Sequence, residues 1–230
     1  FYSHENVLMK NYSSHIGIIG GGIAGLTVGC ALRLRGINTV VFERADEVSE
    51  FGAGISISPN ALSPLHKLGI KDDFVDRSFV PEKAVMNYRG KEIRSLETQV
   101  VTSSRQKLIE VIHQNYVGLG GEILFEHEYK SLDVDSCEIT FTNNEVYKVS
   151  HILACDGIKS SVRQNHFPSS GMPAYSGYSA WRGIGLSEIK DIQFHFGPGT
   201  HIVNYPIDHE KRTSFVGVVK TNEATEDSWK

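Results

Sequence analysis

The sequence predicts an α/β fold in which a mostly parallel sheet of the Rossmann type is combined with a second, antiparallel sheet. Residues 15–44, HIGIIGGGIAGLTVGCALRLRGINTVVFER, run from an apolar strand through a glycine-rich turn into an amphipathic helix and a second strand. Residues 152–163, ILACDGIKSSVR, repeat the order of strand, turn and helix. The third observation is a series of short strand-like segments, which predicts antiparallel pairing. These segments are 178–184, 192–196, 200–206 and 213–220.

The composition is that of an ordinary globular protein without a strong charge of either sign. The 230 residues carry a formal net charge of −4 and the sequence pI is about 6.2, which argues against a nucleic-acid or polybasic membrane-binding surface. No apolar run approaches the roughly 18 residues that a membrane helix requires. The 3 cysteines share no ligand-like spacing, and the polar amino terminus holds no signal-like apolar core. We therefore expect a cytoplasmic protein without metal ligands or disulfides.

Gly20, Gly22 and Gly25 follow the first strand with the spacing G-x-G-x-x-G, which is typical of a dinucleotide-binding turn. The first glycine permits a tight turn, the second lets the backbone approach a pyrophosphate, and the third lets the helix pack on the strand. Glu43 ends the next strand, where a carboxylate can accept hydrogen bonds from a ribose. The turn does not distinguish NAD from FAD, and a glycine-rich turn without a ligand is the alternative. The predicted contacts are Gly20, Gly22, Ile23, Ala24, Gly25, Glu43 and Arg44.

Five segments occur in an order that one protein family shares. They are FGAGISISPNAL at 51–62, SSRQKLIEVIHQ at 103–114, ILACDGIKSSVR at 152–163, YSGYSAWRGIG at 175–185 and GPGTHIVNYPI at 197–207. Together they resemble the flavoprotein aromatic hydroxylases, the single-component FAD-dependent monooxygenases related to 4-hydroxybenzoate and salicylate hydroxylases. Asp156, Gly157, Ser160 and Arg163 match that family's D-G-x-x-S-x-x-R motif, and Arg105 matches the arginine of its R-x-x-L helix.

The resemblance implies FAD as the cofactor, bound by a Rossmann-like domain of the glutathione-reductase type. Glycine allows a close backbone approach to a flat ligand and serine can hydrogen-bond a cofactor edge, which makes Gly54 and Ser56 candidates. By resemblance, Arg105 at the start of a helix reaches the phosphates or the ribityl chain, and the backbone at Tyr129 holds the adenine. The residues alone also permit a plain turn at Gly54 and a solvated arginine at Arg105.

The turn at Asp156 and Gly157 is predicted to contact the same cofactor as the glycine-rich turn. Ligands bind at the carboxyl ends of strands in such folds, and the strand at 151–154 is expected to lie beside the strand that ends at Gly20. Both turns would then face one crevice, and the resemblance also links the Asp-Gly turn to the use of NADH or NADPH. A β-turn followed by an ordinary helix cap is the alternative.

The reaction of the family is the function that the resemblance implies. NADH or NADPH binds transiently and reduces the FAD, the reduced flavin and O₂ form a C4a-hydroperoxide, and one oxygen atom passes to a small aromatic substrate. His201 is a candidate base, Tyr205 a candidate for hydrogen bonding or stacking on the ring, and Arg182 a candidate for holding a carboxylate. Sheet packing or a surface contact is the alternative for each. A flavin-dependent epoxidase or reductase and a non-catalytic FAD- or NAD-binding module are the competing functions.

The predicted organisation is a discontinuous FAD-binding domain, residues 13–73 and 102–170, with a substrate domain formed by 74–101 and 171–230. The family's second Gly-Asp motif, usually written G-D-A-A-H, does not occur in the chain. We therefore expect the chain to be truncated relative to the family, to bind FAD weakly and to have little turnover. Both a monomer and a homodimer remain open.

Two hairpins are predicted outside the segments already named. One covers 80–96 with its turn at Arg89-Gly90, and the other covers 137–148 with its turn at Asn143-Asn144. The first is expected to join the antiparallel substrate sheet.

Overall fold

The computed structural model describes residues 10–48 and 54–222. In chain order its elements are β1 (Lys10–Ile19), α1 (Ile23–Arg33), β2 (Thr39–Phe42), β3 (Gly54–Ile57), α2 (Pro59–Lys67), α3 (Lys71–Asp76), β4 (Lys83–Tyr88), β5 (Lys91–Glu97), β6 (Val101–Ser104), α4 (Arg105–Gly118), β7 (Glu122–Leu124), β8 (Tyr129–Asp133), β9 (Glu138–Phe141), β10 (Val146–Ala154), α5 (Ser161–His166), a 3₁₀ turn (Pro168–Ser170), β11 (Tyr178–Leu186), β12 (Ile192–Gly197), β13 (Thr200–Pro206) and β14 (Arg212–Lys220). The start of the predicted 51–62 segment, Phe51 to Ala53, lies outside the described residues. None of the helices in the described ranges has the length and apolar character to cross a membrane.

The described chain divides by its contacts into two units. The first consists of residues 10–48 and 112–173, and the second of residues 54–111 and 174–222. The segments 54–73 and 102–111 are thus grouped with the second unit. The predicted division into a cofactor domain and a substrate domain is a functional one and remains a prediction.

The sheet of the first unit has the order β7-β2-β1-β10-β9-β8. Its first four strands run parallel, and β9 and β8 continue it in antiparallel fashion, so the sheet is mixed. The predicted strand Thr39–Phe42 has the bounds expected, because its β-branched and aromatic side chains suit a fully buried strand. β1 begins at Lys10, earlier than predicted. The hairpin predicted at 137–148 is present, with Asn144 at a φ of 66° in its turn.

A buried tyrosine organises the helix packing of this unit. Tyr116 on α4 is fully buried, and its hydroxyl lies 2.9 Å from Thr39 Oγ1. A Cβ at Gly29 on α1 would lie 2.7 Å from a carbon of the Tyr116 ring, and one at Gly121 would lie 2.4 Å from another. Both positions hold glycine because the ring occupies the space that a side chain would fill.

The second unit is built on a six-stranded sheet with the order β11-β14-β13-β12-β4-β5. The predicted segments all form strands, but the sheet is mixed and not antiparallel throughout, since β12 and β4 pair in parallel. The hairpin predicted at 80–96 is present as β4 and β5, and Arg89 and Gly90 have φ values of 49° and 74°, as a type I′ turn requires. β3 and β6 form a separate antiparallel ribbon. Thr102 Oγ1 on this ribbon donates to Pro206 O at 2.6 Å.

Candidate functional site

The glycine-rich turn lies at the carboxyl end of β1 and leads directly into α1. Gly20 has a φ of 105°, and a Cβ there would lie 2.5 Å from Cys155 O. At Gly25, in the first turn of α1, a Cβ would lie 1.9 Å from Gly20 O. These two glycines are therefore required by the turn itself. Gly22 differs from both, because a Cβ at this position meets nothing within 4 Å.

The amino terminus of α1 is the part of this turn that suits a phosphate. Gly22 is the N-cap, and no side chain caps the helix. Such a terminus presents backbone N–H groups and the positive end of the helix dipole. Ile23 and Ala24 are the first helical residues, and Ala24 is exposed. Open space at Gly22 and an uncapped helix therefore fit the pyrophosphate of a dinucleotide.

Glu43, the predicted ribose ligand, also braces the glycine-rich turn. Its Oε2 accepts a hydrogen bond from the N–H of Gly21 at 2.6 Å, and its Oε1 accepts one from the N–H of Ala45 at 2.9 Å. A carboxylate offers about four acceptor positions, so two backbone bonds leave capacity for ribose hydroxyls. The neighbouring Arg44 is exposed.

The turn at Asp156 and Gly157 lies beside the glycine-rich turn, as predicted. β10 pairs with β1 in parallel, with Ile19 in register with Ala154. The N–H of Cys155 donates to Ile19 O at 2.7 Å. The structure therefore brings the two turns together at the carboxyl ends of neighbouring strands, where α/β sheets bind their ligands.

The carboxylate of Asp156 is engaged within its own turn. Its Oδ1 accepts from Ser160 Oγ at 2.6 Å, and its Oδ2 accepts from the N–H of Val162 at 3.1 Å. Ser160 is the N-cap of α5, and its hydroxyl accepts the N–H of Arg163 at 2.9 Å. Asp156 and Ser160 together thus occupy the first amides of α5. The capping alternative is present here, and a direct contact of Asp156 with a cofactor remains a prediction.

Gly157 is the exposed part of this second turn, with a φ of 85°. Beside it opens a shallow cavity of about 230 Å³. The cavity is lined by Ala154, Asp156, Gly157, Ser160, Val162, Arg163 and Phe167.

Burial raises the pKa of the Cys155 thiol, and the charge of the adjacent Asp156 raises it further. The Cys155 thiol is therefore held in its protonated form at neutral pH.

The segment at Glu126 and His127 also supports Glu43, and no sequence pattern predicts this support. The N–H of His127 donates to Glu43 O at 2.8 Å, and the N–H of Glu126 donates to Ala45 O at 3.0 Å. Tyr129, the predicted adenine position, begins β8 two residues later and has its hydroxyl 3.1 Å from His166 Nε2. No motif covers residues 125–128, so only the burial of His127 marks this residue.

Gly54 in the second unit is required by packing against two strands of its own unit. Its N–H donates to Ser214 Oγ at 3.2 Å. A Cβ on Gly54 would lie 2.3 Å from Ser214 Cβ and 2.8 Å from Tyr205 Cε2. The close approach observed is therefore to β13 and β14, and the expected approach to a flat ligand remains a prediction. Ser56 on the same strand is exposed.

Arg105 is the first residue of α4, where the sequence predicts it. Ser104 Oγ accepts the N–H of Lys107 at 3.2 Å, which identifies Ser104 as the capping residue. One side of the helix is buried, as the exposures of Leu108 and Ile109, 4% and 2%, show. Arg105 itself is half-buried.

Arg182, His201 and Tyr205 lie on one face of the second sheet. Arg182 on β11 is in register with Val216 on β14, and Val216 is in register with Val203 on β13. Side chains alternate along a strand, so Val203 shares its face with His201 and Tyr205. One face of this sheet therefore presents a cation, an imidazole and a phenol in neighbouring rows.

These three side chains differ in how far they are buried. Tyr205 is 7% exposed and packs in the core cluster that contains Ile192 and Ile207. His201 is half-buried and Arg182 is exposed. Trp181, adjacent to Arg182 in the sequence, points to the opposite face and is 52% exposed. Of the three candidate substrate residues, His201 and Arg182 are therefore the ones that are not buried.

A family model described as an FAD binding domain matches residues 13–228. The chain is 27% identical to 3-amino-4-hydroxybenzoate 2-monooxygenase of Streptomyces cremeus, covering 91% of this chain and 58% of that protein. It is 28% identical to 3-hydroxybenzoate 6-hydroxylase of Klebsiella oxytoca, covering 86% of this chain and 55% of that protein. Among solved structures, Klebsiella pneumoniae HpxO complexed with FAD and uric acid has a TM-score of 0.80 at 21% identity, covering 93% of this chain and 58% of that one.

The chain spans less than two thirds of each of these relatives. The structural likeness extends over both mixed sheets and therefore supports the predicted α/β fold class.

Proposed function

The chain belongs to the FAD binding domain family, and we propose that the protein is an FAD-dependent monooxygenase that hydroxylates a small aromatic or heteroaromatic compound. Membership in this family confirms the predicted cofactor, FAD. The observation that carries the proposal is the pair of turns on β1 and β10, one with an uncapped helix terminus and the other with an exposed glycine. The names of the relatives, which act on hydroxylated benzoates, supply the substrate class.

When bound, FAD would supply the redox chemistry, accepting a hydride from NADH or NADPH and activating O₂ for the transfer of one oxygen atom. The residues of the chain bind and orient the cofactor. The N–H groups that follow Gly22 hold the pyrophosphate, and Glu43 accepts hydrogen bonds from a ribose. Gly157 offers backbone contact beside them, and Tyr129 remains a proposed adenine contact. The resemblance adds Gly54, Ser56 and Arg105 as further proposed contacts.

The substrate side of the proposal rests on one face of the second sheet. Arg182 is exposed and suits a bidentate contact with a carboxylate. His201 shares that face and suits the removal of a phenol proton, because imidazole is the commonest general base in enzymes. Tyr205 lies on the same face and packs in the core cluster with Ile192 and Ile207. A hydroxylated aromatic acid presents both groups that these side chains recognise.

Oxygen incorporation tests the proposal directly. The protein expressed from its complete gene is incubated with FAD, NADPH or NADH, ¹⁸O₂ and a panel of hydroxybenzoates and hydroxypyridine carboxylates. We expect one aromatic acid to stimulate NAD(P)H oxidation and to gain one ¹⁸O atom. No NAD(P)H oxidation with any compound would instead support a non-catalytic binding module. Oxidation without oxygen incorporation would support a reductase, and oxygen transfer to an alkene would support an epoxidase.

A matched pair of variants tests the role of His201. His201→Ala should lower kcat about 100-fold or more, the contribution of a positioned general base, and leave FAD content unchanged. His195→Ala is the control, since His195 lies on the neighbouring strand and on the opposite face of the same sheet. Equal turnover of the two variants would remove His201 from the mechanism.

A further inference from the structure

His127 lies among aromatic rings in the first unit. It is 9% exposed, and its ring centroid lies 5.8 Å from that of Phe42, 5.0 Å from that of Phe141 and 5.3 Å from that of Tyr147. A polar side chain in such surroundings is stable only when hydrogen bonds satisfy its polar atoms.

Both nitrogens of the ring are satisfied. His127 Nε2 lies 2.7 Å from Glu145 Oε2 and 2.9 Å from the Tyr147 hydroxyl, while Nδ1 lies within hydrogen-bond distance of Phe125 O. Lys10 Nζ donates to Glu145 Oε1 at 2.7 Å and to the Tyr147 hydroxyl at 3.0 Å. We refer to His127, Glu145, Tyr147 and Lys10 as the His127 cluster.

The cluster keeps its carboxylate charged. The pKa of Glu145 is lowered to about 2, first by the hydrogen bond from Lys10, then by that from Tyr147, with a further contribution from His127. The ring of His127 is therefore held by a carboxylate that is ionised at neutral pH. Charge-assisted hydrogen bonds of this kind are roughly twice as strong as neutral ones.

The backbone of the same residue reaches the candidate dinucleotide site. The N–H of His127 donates to Glu43 O, and the Glu43 carboxylate accepts the N–H of Gly21 within the glycine-rich turn. Hydrogen bonds and the covalent chain thus connect the His127 ring, through its own backbone, to Glu43 and then to Gly21. A core histidine without this connection would affect stability alone.

We infer that His127 is a positioning residue for the dinucleotide site. Its ring hydrogen bonds hold His127 in place, so that Glu43 presents its carboxylate to Gly21 and to a ligand's ribose. The inference rests on the proposed binding of FAD at the glycine-rich turn. It assigns to His127 no contact with the ligand. The part of the ligand it serves is the adenosine diphosphate half, because Glu43 is the group that it positions.

His127→Phe is the informative variant, because phenylalanine keeps a ring among the aromatic neighbours and removes the hydrogen bonds of both ring nitrogens. His127→Gln is the rescue variant, since its amide can still donate to Glu145. His151→Phe is the control, at an exposed histidine on the same strand as Tyr147. The first readout is hydrogen–deuterium exchange of the ligand-free chain, resolved at Gly21. The second readout is the Kd for ADP and for FAD.

We expect His127→Phe to speed exchange at Gly21 and to raise both Kd values by the same factor, about tenfold, as one lost charge-assisted hydrogen bond would. His127→Gln should recover part of this loss, and His151→Phe should match the unmodified chain. In a Glu43→Ala background, His127→Phe should have no further effect on either Kd, because its influence passes through Glu43.

Four outcomes would overturn the inference. Unchanged exchange at Gly21 would show that the hydrogen bonds of the His127 ring have no influence on the glycine-rich turn. The same tenfold effect with and without Glu43 would show a general loss of structure. Altered exchange with unaltered ADP and FAD affinity would separate the His127 cluster from ligand binding. An unmodified chain that binds neither ligand would overturn the proposed dinucleotide site itself, whatever the exchange shows.

Discussion

The two turns at the carboxyl ends of β1 and β10 share the order strand, turn and helix, but they leave their helix termini in opposite states. The terminus of α1 begins at Gly22 and has no side-chain cap. The terminus of α5 is occupied by Ser160, which caps Arg163, and by Asp156, which accepts the N–H of Val162. The first terminus therefore keeps its amides available to an anion, whereas the second satisfies itself.

The difference teaches that a ligand-binding motif has two kinds of residue in it. Gly22 leaves space, and its contribution appears only when a ligand is present. Asp156 and Ser160 hold the backbone of their turn, so their contribution is present with or without a ligand. The following substitutions separate these two kinds of contribution, in order of decreasing effect.

The largest effect is expected for Gly25→Ala. Its Cβ would lie 1.9 Å from Gly20 O, so the helix must move away from the turn. Overpacking of this kind costs about 3 kcal/mol, which lowers the Tm of a protein of this size by roughly 6–12 °C. Thermal unfolding of the ligand-free chain measures the change, and FAD binding should be lost with it.

Gly22→Ala is the matched substitution, since its Cβ meets nothing within 4 Å. The Tm of the ligand-free chain should stay within about 2 °C of the original, as for a substitution that disturbs no packing. The Kd for ADP should rise about tenfold, because the methyl group occupies the space that the pyrophosphate approaches. If Gly22→Ala and Gly25→Ala lowered stability equally, the proposed distinction between the two glycines would be wrong.

Ser160→Ala should have an intermediate effect that does not depend on a ligand. Loss of the N-cap and of the hydrogen bond to Asp156 should lower the free energy of unfolding by about 1 kcal/mol. Urea unfolding with and without FAD should give the same difference. Ser161→Ala, at the exposed next position, is the control and should stay within about 0.5 kcal/mol.

The smallest effect is expected for Asp156→Asn, which keeps an acceptor oxygen and removes the charge. The negative charge raises the pKa of Cys155, so its removal should lower that pKa. Thiolate would then form at lower pH, and the pH profile of Cys155 alkylation should move toward lower pH. Mass spectrometry of the Cys155 peptide measures this, and an unmoved profile would assign the raised pKa to burial alone.

Local patterns predict much of this structure. The glycine spacing, the strand Thr39–Phe42 and the turn at Arg89-Gly90 all depend on residues that are close in the sequence, and each is found where expected. The adjacency of β1 and β10 follows from one topological rule for parallel sheets.

The remaining features depend on partners far away in the chain. The parallel pairing of β4 with β12 is set by strands that no short turn connects. Gly54 is glycine because of Ser214 and Tyr205, which the sequence around Gly54 does not reveal. His127 belongs to no motif, and its importance is apparent only from its burial and hydrogen bonds.

The packing of Tyr116 between Gly29 and Gly121 has a consequence for how this sequence can diverge. Because one ring closes the space at both glycines, neither can gain a side chain until residue 116 becomes smaller. A shrinking of residue 116 alone would leave a void and lose the hydrogen bond to Thr39. Descendants of this sequence should therefore change these three positions together or keep all three, so that alanine at 29 or 121 accompanies a residue smaller than tyrosine at 116.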